Sequence, residues 1–188
     1  MFVHFDNHRK VSRVCSLAEN PILDQIREGV LTPPVGRSAE VAPQAPLLST
    51  EEIDTFYHGY IDTLTNRTVA ENFPKLVHNE LNHDVNPLSL QSFIDIVEEF
   101  SKEIQGLAFE VKDLVRDEGS QQIGALVGLS GLPVKTFRGV APTGKPAKFD
   151  EYCIYTLKGG KIKSLWSVWD INTYKECLLG EVGCSKKA

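Results

Sequence analysis

Apolar residues recur at helical spacing in the first half of the chain and alternate singly in the second. Ile53, Phe56, Tyr57, Tyr60, Ile61 and Leu64 recur every three or four residues, which predicts an amphipathic helix reaching about Asn66. Ser49 and Glu52 supply a capping box at its start. Thr68 with Glu71 repeats the device for a short second helix ended near Pro74, and His78 to Asp84 suits a short strand. Ser89 caps a third helix with the stripe Phe93, Ile94, Ile96, Val97, Phe100 and Ile104, which Gly106 ends.

From Leu107 the period falls to two, with Leu107, Phe109 and Val111 alternating against Ala108, Glu110 and Lys112 up to a turn at Asp117-Glu118-Gly119-Ser120. Gln121 to Leu129 is the next strand, and Lys135 to Val140 is a short strand or loop. Lys148 to Lys158 and Lys161 to Asp170 make a hairpin around Gly159-Gly160, and Thr173 to Leu179 makes a brief closing helix. Helices first and a strand meander afterwards predict an α+β domain, with helices packed on one face of an antiparallel sheet.

Residues 1–48 read differently. Asn20-Pro21 opens a short amphipathic helix closed by Gly29. Pro33, Pro34, Pro43 and Pro46 then exclude helix and sheet interior, leaving an extended arm or a disordered leader. The expected organisation is an extension over 1–48, a compact domain over 49–180 and a tail over 181–188.

The bulk numbers narrow the function. A chain of 188 residues with 41% apolar and 24% charged content is one globular domain with a substantial core. The net charge of −5 and the lack of a Lys/Arg stripe argue against a nucleic-acid partner. No apolar stretch approaches the roughly 20 residues of a spanning helix, and the N-terminus lacks a secretory pattern, so no membrane association and a cytoplasmic location are expected. Cys15, Cys153, Cys177 and Cys184 have no metal-type spacing and are read as free thiols. With no HExxH, Walker loop or GxGxxG, neither a metal nor a cofactor is expected.

The order of elements, with His78-Asn79-Glu80-Leu81-Asn82-His83, Pro142-Thr143-Gly144, Gly160-Lys161-Ile162, Trp166 to Asp170 and the closing YKECLLG, resembles the SnoaL-like group of the NTF2-like superfamily from about Glu52 to Gly180. The resemblance implies a cone in which helices pack on a curved sheet around a pocket. It also implies cofactor-free cyclase, isomerase or dehydratase chemistry on a hydrophobic, carbonyl-bearing molecule of polyketide or terpenoid type, and a homodimer. The alternative is a non-catalytic module that binds a small hydrophobic ligand or a protein partner.

Such chemistry needs an acid/base at an acidic C–H, a donor to the enolate oxygen and an apolar cavity. Asp170 is the first candidate, because alternation sets it on one face with Trp166 and Val168; the competing reading is a cap for the final helix. His83 falls at the family's pocket-mouth histidine, or else caps the loop before Pro87. Glu151 shares a face with Phe149, Cys153 and Tyr155 as a buried acid, or else is an edge carboxylate answering Lys148. Tyr57 and Tyr60 lie on the helix that covers the pocket, as donors or as core. Lys135 and Arg138 flank Phe137 at the rim, where they would meet a substrate carboxylate or solvent. Phe100, Phe109, Phe137 and Trp166 supply apolar lining.

Overall fold

The computed structural model describes residues 2–5, 11–15, 46–84 and 86–180. The chain forms two compact units, Met1–Val41 and Ala42–Ala188. In the first, β1 (Phe2–Phe5) and β2 (Val11–Cys15) pair antiparallel, with Phe2 opposite Cys15 and His4 opposite Arg13. The sequence reading assigned no element there. The helix expected after Asn20, most of the proline-rich arm and the tail after Gly180 lie outside the described residues.

The second unit opens with α1 (Thr50–Thr65), whose capping box is formed as expected: Ser49 accepts from the Glu52 N–H, and the Glu52 carboxylate accepts from the Ser49 N–H at 2.8 Å. Its buried stripe includes Ile53, Tyr57, Tyr60, Ile61 and Leu64. α2 (Val69–Leu76) carries Pro74 inside its last turn rather than stopping at it, and Thr68 makes no side-chain cap. β3 (Val77–His83) and β4 (Asn86–Ser89) form a hairpin, and α3 (Leu90–Glu103) follows, capped by Ser89. Gly106 does not end this helix. It lies, with φ +66°, in the bulged start of β5 (Ile104–Asp117), where a left-handed backbone suits glycine. β6 (Gln122–Pro133), β7 (Ala147–Lys158) and β8 (Lys161–Trp169) complete the meander, and α4 (Ile171–Leu179) closes it at the left-handed Gly180.

The six strands form one sheet in the order β4-β3-β8-β7-β6-β5. All pairs are antiparallel except β3 with β8, which run parallel. The helices cover the inner face, where Ile123, Ala125, Val127 and Leu129 of β6 meet Phe149, Cys153, Tyr155 and Leu157 of β7 in the core. Gln121 ties the chain before α1 to this sheet: its amide donates to the Leu48 carbonyl at 2.8 Å and accepts from the Leu48 N–H at 2.9 Å. Among the described residues no helix is long and apolar enough to cross a membrane.

Candidate active site

Pairing across the sheet brings the chemistry together in three inward rows. Val127, Glu151 and Trp169 lie side by side on β6, β7 and β8; Ala125, Cys153 and Ser167 form the next row; Ile123, Tyr155, Leu165 and His83 form the third. Period two puts Glu151, Cys153 and Tyr155 on one face of β7. α1 and α3 cover these rows, leaving a cavity of about 340 Å³ lined mainly by apolar side chains such as Ile61, Phe93, Val97 and Phe109. Tyr60, His83, Arg138, Glu151 and Tyr155 are among its polar lining groups, with Glu99 and Glu103 from α3.

The sequence candidates divide here. Tyr60, His83, Glu151, Phe100, Phe109, Phe137 and Arg138 line this one cavity; Asp170, Trp166, Tyr57 and Lys135 do not. Asp170 caps α4, accepting from the Thr173 N–H at 3.0 Å and the Thr173 hydroxyl at 2.7 Å. Asp170→Ala is therefore expected to cost about 1 kcal/mol in urea unfolding and leave any proton-transfer activity of the cavity unchanged. Loss of that activity would return Asp170 to the site. Tyr57 is wholly buried in the layer behind the cavity, its ring 5.3 Å from that of Tyr155. Lys135 is exposed and held by Glu99 at 2.6 Å.

Trp166 and Asp170 fall on the outer face because of one extra residue. At the hairpin, Leu157 pairs with Ile162, but Thr156 pairs with Ser164, so Lys163 is a bulge. An unbulged two-residue hairpin would turn Trp166 and Val168 inward. The bulge shifts the register by one, and Leu165, Ser167 and Trp169 face the cavity instead.

Glu151 is the most perturbed carboxyl in the cavity. Desolvation raises its pKa from the usual 4.5 to about 7, against the Ser167 and Cys153 side chains and the Arg138 charge, which favour the carboxylate, while Asp84 adds to the rise. Asp84, at a left-handed φ of +55°, accepts from the Ser167 N–H at 3.1 Å and is not part of the cavity lining. Burial pushes the Tyr60 and Tyr155 phenols well up, with Cys153 adding to it, so both stay protonated as hydrogen-bond donors. Tyr60, Phe73 and Phe93 stack in series at 5.4 Å, and His83 lies 5.8 Å from Phe93. At the other end, Phe137 lies 5.3 Å from Phe100 and 5.3 Å from Trp169.

Tyr155, Trp169, Glu99 and Glu103 line the cavity, and sequence reasoning proposed none of them. The inward phase of β7, already set by Phe149 and Glu151, pointed to Tyr155. Among the described residues no group of three or more His, Cys, Asp and Glu side chains is arranged to hold a metal ion. Cys153 is a buried free thiol, but Cys177 is disulfide-bonded, which corrects the free-thiol expectation there.

Residues 53–175 match the family model of the SnoaL-like polyketide cyclases, and the chain belongs to that family. Solved structures share its NTF2-like fold. A SnoaL-like polyketide cyclase of Agrobacterium tumefaciens superposes with a TM-score of 0.61 at 24% identity, covering 70% of this chain and 98% of that one. TsrD of Streptomyces laurentii gives 0.61 at 16% identity, covering 72% and 99%. IdmH of Streptomyces antibioticus, a proposed polyketide cyclase, gives 0.58 at 16% identity, covering 69% and 99%. No curated protein sequence matches the chain.

Proposed function

We propose that this protein is an enzyme that moves protons on a small, hydrophobic, carbonyl-bearing molecule of polyketide or terpenoid type, as a cyclase, isomerase or dehydratase acting through its own side chains. The observation that carries the reading is Glu151: a desolvated carboxyl with a pKa near 7 in the wall of an apolar cavity that also holds two protonated phenols and an imidazole. A carboxylate poised near neutral pH removes a proton from carbon next to a carbonyl. The Tyr60 or Tyr155 hydroxyl then hydrogen-bonds the enolate oxygen, and His83 or the newly protonated Glu151 returns the proton at another atom. Return to a different carbon isomerises the molecule; attack of the enolate carbon on a second carbonyl closes a ring; loss of a β-hydroxyl as water dehydrates it.

The test uses 2-tetralone, a bicyclic ketone with acidic α-protons, in D2O. Wild-type protein is expected to accelerate exchange of those protons, followed by proton NMR, and no acceleration over buffer would overturn the reading. We also propose that the protein is a homodimer, the closed pairing that its family resemblance implies. Light scattering should give twice the 20.9 kDa chain mass; a monomer at micromolar concentration would refute the pairing.

A further inference from the structure

We infer that the molecule bound in this cavity carries a carboxylate, and that Arg138 at the cavity mouth anchors it. The inference rests on the reading of the cavity as a small-molecule site and adds the chemical class of its ligand.

Two cations flank Phe137 in the sequence, and the structure separates them. Lys135 is taken up by Glu99. Arg138 lines the cavity and makes no ion pair among the described residues. Its place is set by a tight turn in which Phe137 and Val140 exchange both backbone hydrogen bonds, at 3.1 and 2.9 Å, around Arg138 at φ +48° and Gly139 at φ +77°. Two successive positive φ angles with that exchange make a type I′ turn. Arginine gains nothing from a left-handed backbone, so its presence at the first position stands against local preference. Phe137, only 6% exposed, pins the turn from beneath by packing on Phe100, Phe149, Trp169 and Tyr174.

The guanidinium is thereby held over the Trp169 ring, 5.8 Å from its centroid. Trp169 lies directly opposite Glu151 in the β7–β8 pairing. A carboxylate on the Arg138 fork would therefore leave the body of its molecule lying along Trp169, with its far end toward Glu151. Arginine's planar donors suit such a bidentate contact. The other carboxylates at the rim leave the fork available: Glu99 is already held by Lys135 and Lys102, and Glu103 is not within ion-pair distance of Arg138. A cavity of about 340 Å³ is at the small end of ligand sites, which favours a molecule of one or two rings.

The test is calorimetric titration of the full-length protein with 2-naphthoate and with uncharged 2-acetylnaphthalene, two bicyclic probes of similar size. Wild type is expected to bind the carboxylate about tenfold more tightly than the ketone. Arg138→Gln should abolish that preference with ketone affinity unchanged, and Arg138→Lys should keep part of it. Arg138 is exposed, so neither variant threatens the fold. Equal affinity for both probes in wild type, or a preference that survives Arg138→Gln, would overturn the anchor while 2-tetralone exchange could still stand. Binding of neither probe would overturn it too; if exchange were also absent, the small-molecule reading of the cavity would fall with it.

Discussion

Glu151→Gln is expected to slow 2-tetralone exchange by about 10²–10⁴-fold, the usual contribution of a positioned general acid or base. Glutamine keeps the shape and removes only the ionisable proton, so the loss would report on proton transfer rather than on packing. In wild type the rate should rise with pH through about 7 and then level, because the base form of Glu151 appears above its raised pKa. The same shift has a stability consequence of fixed sign. The folded chain holds the Glu151 proton up to about pH 7, whereas the unfolded chain releases it near 4.5. The stabilisation linked to that proton is complete below 4.5 and lost as pH rises through 7. Thermal unfolding should therefore show Glu151→Gln gaining on wild type between pH 5 and 8. Undiminished exchange in the variant would remove Glu151 from the chemistry and leave a ligand-binding module; a pH-independent difference in melting temperature would show that the carboxyl is not desolvated.

The helices and the late hairpin were legible because local rules set them. Ser49-Glu52 and Ser89 announce helix starts by satisfying orphan N–H groups, and the period-two run from Leu107 has no helical alternative. The parallel contact between β3 and β8 was not legible, because its partners lie some eighty residues apart and no local pattern marks the pairing. Nor was β4, a strand of four residues whose only buried-side signal is Leu88. The N-terminal β1–β2 pair likewise carries no turn signature that the sequence reading recognised.

The site was half legible for a similar reason. Glu151 could be placed because Phe149, Cys153 and Tyr155 give β7 a single apolar phase. On β8, tryptophans stand on both faces, so composition does not choose between them, and the single bulged residue Lys163 decides which face is inside. That decision leaves Asp170 outside the cavity as the cap of α4, and the other carboxylates in the lining are Glu99 and Glu103 of α3. A bulge is a tertiary compromise between strand twist and core contact, and it leaves no compositional trace in a Lys-Ile-Lys stretch.

Phe73→Ala is expected to lower the free energy of unfolding by about 3–5 kcal/mol, the range for deleting a fully buried phenylalanine. Phe73 is 0% exposed and has no place in the cavity lining, yet it is the middle ring of a stack with Tyr60 on one side and Phe93 on the other, each at 5.4 Å. Those two neighbours are cavity walls, contributed by α1 and α3, and Phe73 of α2 fixes their spacing. Its removal leaves a void that close-packed neighbours fill only in part, so the midpoint in urea should fall sharply with an unchanged slope. Because Tyr60 loses its support, 2-tetralone exchange in the folded variant should also fall. Phe73→Leu, which restores most of the volume without the ring, should recover more of the stability than of the exchange rate. A loss below about 1 kcal/mol for the alanine variant would mean that the stack is not a packed unit and that the cavity wall is held from elsewhere.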